Sequence, residues 1–250
     1  MSKDLFSKQS DIYARYRPGY PPALIEYILQ FVENLNMAWD CATGNGQAAL
    51  LLAPHFQFVQ ATDISEKQLS KAIHHPRIHY SQVNAEQTPF IEQSFDLITV
   101  AQAYHWFNFI AFEKEVKRVL KPNGIIAIWG YSLVSSEYNE LNILITNFYK
   151  KRVGPYWDAE RKYVDDHYRT IPFPYEELPG ADFFIEKQWN LEDLSGYLNS
   201  WSSVQHFIMA NGFNPVDEFK ADLQKYWPAK ETIAFRFPLF LKLGRIKNGA

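Results

Sequence analysis

Apolar positions in the first half of the chain alternate between two periods. Pro21–Val32 sets Leu24, Ile25, Ile28, Leu29 and Val32 at helical spacing behind Pro21–Pro22, which predicts a helix. Met37–Cys41 is short and apolar and runs into a glycine turn, as a buried strand does. Gln47–Ala53, rich in Ala and Leu, predicts a helix that Pro54 stops. Phe58–Thr62 predicts a second strand, ending at Asp63. Ser65 and Gln68 form a capping box for a helix reaching about His74. Ile78–Val83 reads as a third strand. Phe95–Ala101 is apolar almost throughout, the mark of a strand buried on both faces. Phe109–Leu120 is a helix closed by Lys117, Arg118 and Lys121, whose charges suit its carboxyl end. Asn123–Gly124 predicts a turn, and Ile125–Trp129 a fifth strand.

Repeated strand–helix–strand units imply an α/β protein with an open parallel sheet covered by helices on both faces. Right-handed crossovers leave few topologies. From about residue 132 the pattern changes to aromatic-rich helices, with strand signals at 181–190 and 231–244. No internal repeat or low-complexity tract interrupts it.

Composition narrows the function classes. Hydrophobic residues make up 47% and charged residues 21% of the 250 positions, enough for a sizeable core and too apolar for long disorder. A formal net charge of −3 gives no basic footprint, so no nucleic-acid partner is expected. The single cysteine, Cys41, rules out a disulfide within the chain and reads as a small buried hydrophobe. With no signal-like leader and no apolar run of membrane length, a soluble cytoplasmic protein without a membrane partner is the expectation. The seven histidines show no metal-ligand spacing, and no metal is expected. Aromatic residues reach 16%, which suits a pocket for a flat or hydrophobic ligand as well as a core.

The first strand ends in Trp39-Asp40-Cys41-Ala42-Thr43-Gly44-Asn45-Gly46-Gln47. Glycines between a strand and a helix allow a tight turn and close backbone approach to a ligand. In a doubly wound sheet that turn lies at the ligand-binding edge. Asp63 ends strand two and can accept hydrogen bonds from both hydroxyls of a ribose; its plainer role is near the cap of the next helix, where Ser65 competes. Gly44–Ala49 also matches the dinucleotide spacing G-x-G-x-x-A. Asp40 argues against that match. A carboxylate before the glycines repels a pyrophosphate and attracts an ammonium group.

With Asp40–Gln47, Asp63, Val83-Asn84-Ala85-Glu86, Ser94-Phe95-Asp96-Leu97-Ile98 and Val119-Leu120-Lys121-Pro122-Asn123-Gly124 in this order, the chain resembles the class I methyltransferases that use S-adenosylmethionine (SAM). The resemblance covers about residues 10–131. It implies a Rossmann-like, doubly wound, mostly parallel seven-stranded sheet with an antiparallel last strand and a helical cap. It further implies a lid segment and first helix over 1–35, a SAM-binding core over 36–131, a cap and substrate region over 132–230, and a final strand over 231–244. Carried over by position, Asp40, Ala42 and Gly44 would line the methionine part of SAM, with Gly46 also among the cofactor-binding residues. Asp63 would bind ribose, Ile64 would pack near adenine, and Ala85 with Glu86 would flank its edge. Gln102 would face the methionine carboxylate or the sulfonium. Ala42 stands where the family often has glycine, which is tolerable if its φ stays negative.

The run Tyr13-Ala14-Arg15-Tyr16-Arg17-Pro18-Gly19-Tyr20-Pro21, with Ala103-Tyr104-His105-Trp106-Phe107, is similar to a subgroup that includes trans-aconitate and related small-molecule methyltransferases. The resemblance implies that Tyr13, Arg17 and Tyr20 close over the pocket. A surface arm held by stacking is the plainer reading. His105 and Trp106 are the candidate catalytic residues, His105 as a base or, preferably, as a positioning group, and Trp106 as a wall. Trp157 belongs to the aromatic cap, and Arg152 or Arg161 suits a substrate carboxylate; solvated arginines are the plainer alternative. The expected reaction is an in-line displacement that moves a methyl group to a small-molecule acceptor, with carboxylates among the acceptors, and yields S-adenosylhomocysteine. An NAD-dependent oxidoreductase and a non-catalytic SAM-binding protein are the alternatives. A nucleic-acid methyltransferase is disfavoured by the charge balance and by the lack of an Asn/Asp-Pro-Pro-Tyr/Phe motif after strand four.

Overall fold

The computed structural model describes residues 18–246. Five parallel strands form the middle of one sheet: β1 (Met37–Cys41), β2 (Phe58–Asp63), β3 (Ile78–Gln82), β4 (Phe95–Ala101) and β5 (Leu120–Tyr131), in the order β3-β2-β1-β4-β5. The order reverses between β2–β1 and β1–β4, so a crevice opens at the carboxyl ends of β1 and β4. β4 is buried along nearly its whole length, as its unbroken apolar run requires.

Helix α1 (Pro22–Leu29) precedes β1, and α2 (Gln47–Leu52), α3 (Glu66–Leu69) and α4 (Phe109–Val119) lie between the strands. α1 starts on Pro21 and carries Pro22 in its first turn, where a missing N–H costs nothing. It stops at Leu29, before the predicted Val32. α3 is a single turn and does not reach His74. Ser65 Oγ accepts from the Gln68 N–H at 3.3 Å, but the return half of the capping box is missing and Gln68 Oε1 is buried without a partner. Only Gln68 of α3 is buried, and Ile73 beyond it is 63% exposed, so no apolar stripe sustains a longer helix. The turn expected at Asn123–Gly124 is instead a bulge inside β5. Asn123 is left-handed at φ 64°, and the register against β4 slips between Phe95 and Leu97.

The chain then adds helices α5 (Asn139–Asn147), α6 (Arg161–Asp165), α7 (Leu191–Asn199), α8 (Ser202–Asn211) and α9 (Pro215–Tyr226). A short strand pair-partner β6 (Ser135–Ser136), another, β7 (Glu176–Glu177), and the longer β8 (Phe183–Trp189) lie among them. All three pair with the last strand, β9 (Ile233–Arg245). β9 runs antiparallel to β5 from Tyr131↔Leu239 to Ile125↔Arg245, and antiparallel to β8 from Phe183↔Leu239 to Trp189↔Ile233. The seven strands longer than two residues thus form the expected mostly parallel sheet with an antiparallel last strand.

Alternate residues of β5 feed two cores, one on each side of the sheet. Ala127 and Trp129 join Leu24, Leu52, Phe237 and the helices of the second half. Ile126 and Ile128 join Ile98, Phe112 and Tyr168.

Candidate active site

The carboxyl ends of β1, β2, β4 and β5 meet around the glycine turn. Asp40 is fully buried behind it. Its Oδ1 accepts from the Thr99 hydroxyl of β4 at 2.8 Å, and its Oδ2 from the Thr43 hydroxyl at 2.5 Å and the Ala49 N–H at 3.0 Å. One carboxylate therefore ties the turn, the start of α2 and β4 together. Burial pushes its pKa up to about 6, against the pull of Thr43, Thr99 and Ala49. A residue with no exposed surface acts on a ligand in the crevice through the turn it shapes.

Ala42 does not keep a negative φ: it is left-handed at 55°, like Gly44 at 57° and Gly46 at 87°. The turn is this tight because Thr43 N–H reaches Thr62 O at 2.9 Å and Gly46 N–H reaches Thr43 O at 3.0 Å. The two glycines do different work. A Cβ on Gly46 would lie 2.3 Å from the Tyr80 hydroxyl, so this glycine makes room for a β3 side chain. A Cβ on Gly44 would meet nothing within 4 Å, so this one leaves open space above the turn. Tyr20 lines that space with Pro18, Ala42, Ala101 and Tyr131, and packs edge-on against Trp129 at 5.4 Å. Tyr13 and Arg17 lie outside the described residues.

Asp63 Oδ2 accepts from the Gly44 N–H at 2.8 Å, and Oδ1 from the Ser65 N–H at 2.9 Å, so it braces the turn from β2. Ile64 is half-buried beside it. Ala85 is buried, and Glu86 Oε1 accepts from the N–H of Asn108, the residue that caps α4. The same loop is clipped to α4 lower down. Glu115 accepts from the Thr88 N–H at 2.9 Å and binds Arg118, whose guanidinium also donates to Phe90 O. Gln102 is left-handed at φ 56°, and its Oε1 accepts from the Tyr131 N–H at 3.1 Å. Gly130 permits this, since a Cβ there would lie 2.4 Å from that oxygen.

His105 and Trp106 sit in a short 3-10 turn, Tyr104–Trp106, just past β4. His105 is buried, with Nδ1 2.9 Å from the Tyr168 hydroxyl and its ring 4.7 Å from Trp106. Burial, with help from the Arg161 cation, pushes its pKa down to about 3, so it is neutral near pH 7. A base that weak has little pull on a proton. Arg161 Nε donates to the Tyr149 hydroxyl at 2.7 Å, and its guanidinium lies over Trp157 at 4.7 Å and Tyr149 at 5.4 Å. Arg161 Nε also lies 3.4 Å from Asp165 Oδ1, and Arg152, which is more exposed, pairs with Glu218 at 2.7 Å. The structure thus gathers Asp40, Ala42, Gly44, Gly46, Asp63, Gln102 and Tyr20 about the turn, and places His105 and Arg161 close enough to interact electrostatically.

Thr43, Thr99, Asn108, Gly130 and Tyr168 are the supporting residues that sequence reading missed. Thr43 lay inside the loop motif and was legible there. Tyr168 is 63 positions from its partner and carries no local signal.

The charge around the turn is diagnostic. Cys41 at the end of β1 has its thiol pushed up by burial and then by Asp40, Glu86 and Asp63 together. Three carboxylates surround one strand end, a field that suits the sulfonium and ammonium of SAM and opposes a pyrophosphate. The open space at Gly44 gives such a ligand a backbone to approach. Among the described residues no group of three His, Cys, Asp or Glu side chains is placed to hold a metal ion, and no helix is long and apolar enough to cross a membrane.

Fold and site together define a Rossmann-like methyltransferase. The methyltransferase-domain family model matches residues 39–128. A methyltransferase-family protein of Dictyostelium discoideum is 33% identical over 249 residues, covering 97% of this chain and 95% of its own. A Saccharomyces cerevisiae protein assigned to the SAM-dependent methyltransferases is 27% identical over 176 residues, covering 67% of this chain and 59% of its own. Among solved structures, a type II methyltransferase-family protein from Anaeromyxobacter dehalogenans superimposes with a TM-score of 0.85 at 34% identity, over 92% of this chain and 98% of that one. The chain belongs to the class I SAM-dependent methyltransferase family, and SAM is its methyl donor.

Proposed function

We propose that this methyltransferase acts on a small-molecule acceptor, that carboxylates are its acceptor class, and that it belongs to the subgroup that includes the trans-aconitate methyltransferases. The observation that carries the reading is Arg161. Its side chain is 19% exposed, its guanidinium lies over Trp157 and Tyr149 with Asp165 Oδ1 3.4 Å from Nε, and its charge acts on the His105 ring beyond β4. A half-buried arginine framed by aromatics suits an anionic, partly apolar guest.

In this reading residues 36–131 hold SAM and residues 132–230 cover the acceptor, with 1–35 as lid and first helix. Ala42, Gly44 and Gly46 present the turn to the methionine end, with Asp40 fixing it from behind. Asp63 and Ile64 serve ribose and adenine, Ala85 and Glu86 the adenine edge, and Gln102 the methionine carboxylate. Tyr20, with Tyr13 and Arg17, closes the crevice, and Trp106 walls the acceptor. SAM supplies an electrophilic methyl group; the chain aligns the acceptor atom with it and excludes water, which is worth about 7–11 kcal/mol of barrier when alignment is good.

The test has two stages. Thermal unfolding with saturating SAM, S-adenosylhomocysteine or NADH comes first, where a ligand at about 100 times its Kd adds about 2.7 kcal/mol. SAM and its product should stabilise and NADH should not. Product release is then assayed on a panel of carboxylic acids, phenols, alcohols and amines. Turnover confined to acids supports the reading, and turnover confined to neutral acceptors refutes it.

A further inference from the structure

Tyr168 is fully buried, and its hydroxyl meets His105 Nδ1 at 2.9 Å. The backbone around it is fixed with unusual care. His167 and Tyr168 are consecutive left-handed residues, φ 53° and 57°. Left-handed non-glycine residues persist only where surroundings over-determine them. Here Tyr168 N–H donates to Tyr163 O at 2.8 Å. His167 bonds Ser132 Oγ through Nε2 at 2.8 Å and stacks on Phe240 at 4.8 Å. The Tyr168 ring is wedged between Tyr104 at 5.6 Å and Phe240 at 5.1 Å.

This placement decides where a proton sits. Burial, ahead of every other influence, raises the Tyr168 pKa far above its usual value, so the phenol keeps its hydrogen. A buried O–H must donate or bear the cost of an unmade bond. Among the described residues the one acceptor offered to it is His105 Nδ1. A neutral imidazole whose Nδ1 accepts carries its hydrogen on Nε2. That nitrogen makes no hydrogen bond to a described residue, and the ring sits just past the carboxyl end of β4 against Trp106.

We infer that Tyr168 is a positioning residue that locks His105 in the Nε2–H tautomer, so that the acceptor pocket meets a neutral N–H donor beside the Arg161 cation and takes an acceptor whose nucleophile is an oxyanion. The inference rests on the acceptor reading above and adds the tautomer to it. The chemistry balances without a base. A lone pair of the acceptor oxygen forms the new O–CH3 bond as the C–S bond of SAM breaks, and the bonding pair leaves on a neutral thioether sulfur. No proton is released from an acceptor that is already an anion. A neutral hydroxyl or amine would need the lone pair that Nε2–H lacks.

The deciding measurement is the imidazole nitrogen NMR spectrum of the full chain, labelled with 15N-histidine and saturated with S-adenosylhomocysteine. His105 signals are identified by their absence in His105→Asn. We expect a protonated, pyrrole-type Nε2 and an unprotonated, pyridine-type Nδ1, and we expect Tyr168→Phe to blur the two into a tautomer mixture. A pyridine-type Nε2 in the wild type overturns the inference. This readout needs no turnover, so it stands apart from the acceptor panel. On whichever acid is turned over, His105→Ala should lose about 10- to 100-fold in kcat/KM, the worth of a hydrogen bond to a charged group. His105→Gln, whose amide can donate from a similar place, should recover most of that loss. Equal losses in both variants would make His105 a base and refute the donor role.

Discussion

Three left-handed residues in five make the glycine turn, and each has its own reason. Gly46 yields to Tyr80, Gly44 yields to open space, and Ala42 is simply strained. Gly46→Ala should therefore cost about 2–4 kcal/mol, the sum of a left-handed alanine and an overpacked contact. Gly44→Ala should cost only about 1–2 kcal/mol but fill the ligand's approach. Urea unfolding and SAM titration calorimetry on both variants separate these effects. Equal stability losses with unchanged SAM affinity would contradict the division of labour. Asp40 carries a second prediction. Its proton is held more tightly in the folded chain than in the unfolded one, so its contribution is full below the unfolded pKa of about 4 and is lost as pH rises through about 6. Across that window the wild type should lose on the order of 2–3 kcal/mol relative to Asp40→Asn, followed by denaturation at several pH values. A flat difference would show that the three donors to Asp40 outweigh its burial. SAM, a cation near the site, should bind more tightly above the window than below it.

Elements at the far end of the sheet test how local these effects are. Asp96 starts β4, where its Oδ2 accepts from the N–H groups of Asn36 and Met37 and its Oδ1 meets Lys121 at 2.7 Å. One buried carboxylate thus pins the entrances of β1, β4 and β5. Asp96→Ala should lower stability by about 2 kcal/mol, less than a fully buried pair because Lys121 can hydrate. SAM affinity, measured below the melting transition, should stay unchanged, since the crevice is at the opposite ends of the strands. Sequence patterning found β4 and β5 because each buries a continuous apolar run, and β1–β3 from short apolar stretches bounded by turns. It misjudged their punctuation. Asn123–Gly124 has turn chemistry, yet the pairing of β4 with β5 carries the strand through it as a bulge. The helix drawn from Ser65 to His74 had a cap but no apolar face. At the site, residues inside the loop motif were legible because their spacing is local. Tyr168 and Gly130 were not, because their roles come from contacts between distant segments.

Across the whole molecule, β9 is the seam. Its last seven residues, Leu239–Arg245, zip onto β5 of the SAM-binding half. Its first seven, Ile233–Leu239, zip onto β8 of the second half. Phe235 and Phe237 on that stretch are wholly buried. A chain ending at Glu231 should leave the apolar edge of β5 and the face of β8 unpaired, and should collect in the insoluble fraction when expressed. Soluble, SAM-binding protein from that truncation would show that the first half closes its own edge. The chemistry of the seam also sets an order in time. During synthesis β1–β5 leave the ribosome long before β9 does, so the edge of β5 and the face of β8 stay open until that strand is made. A strand made late joins two halves made early, so closing the sheet is among the last events of folding.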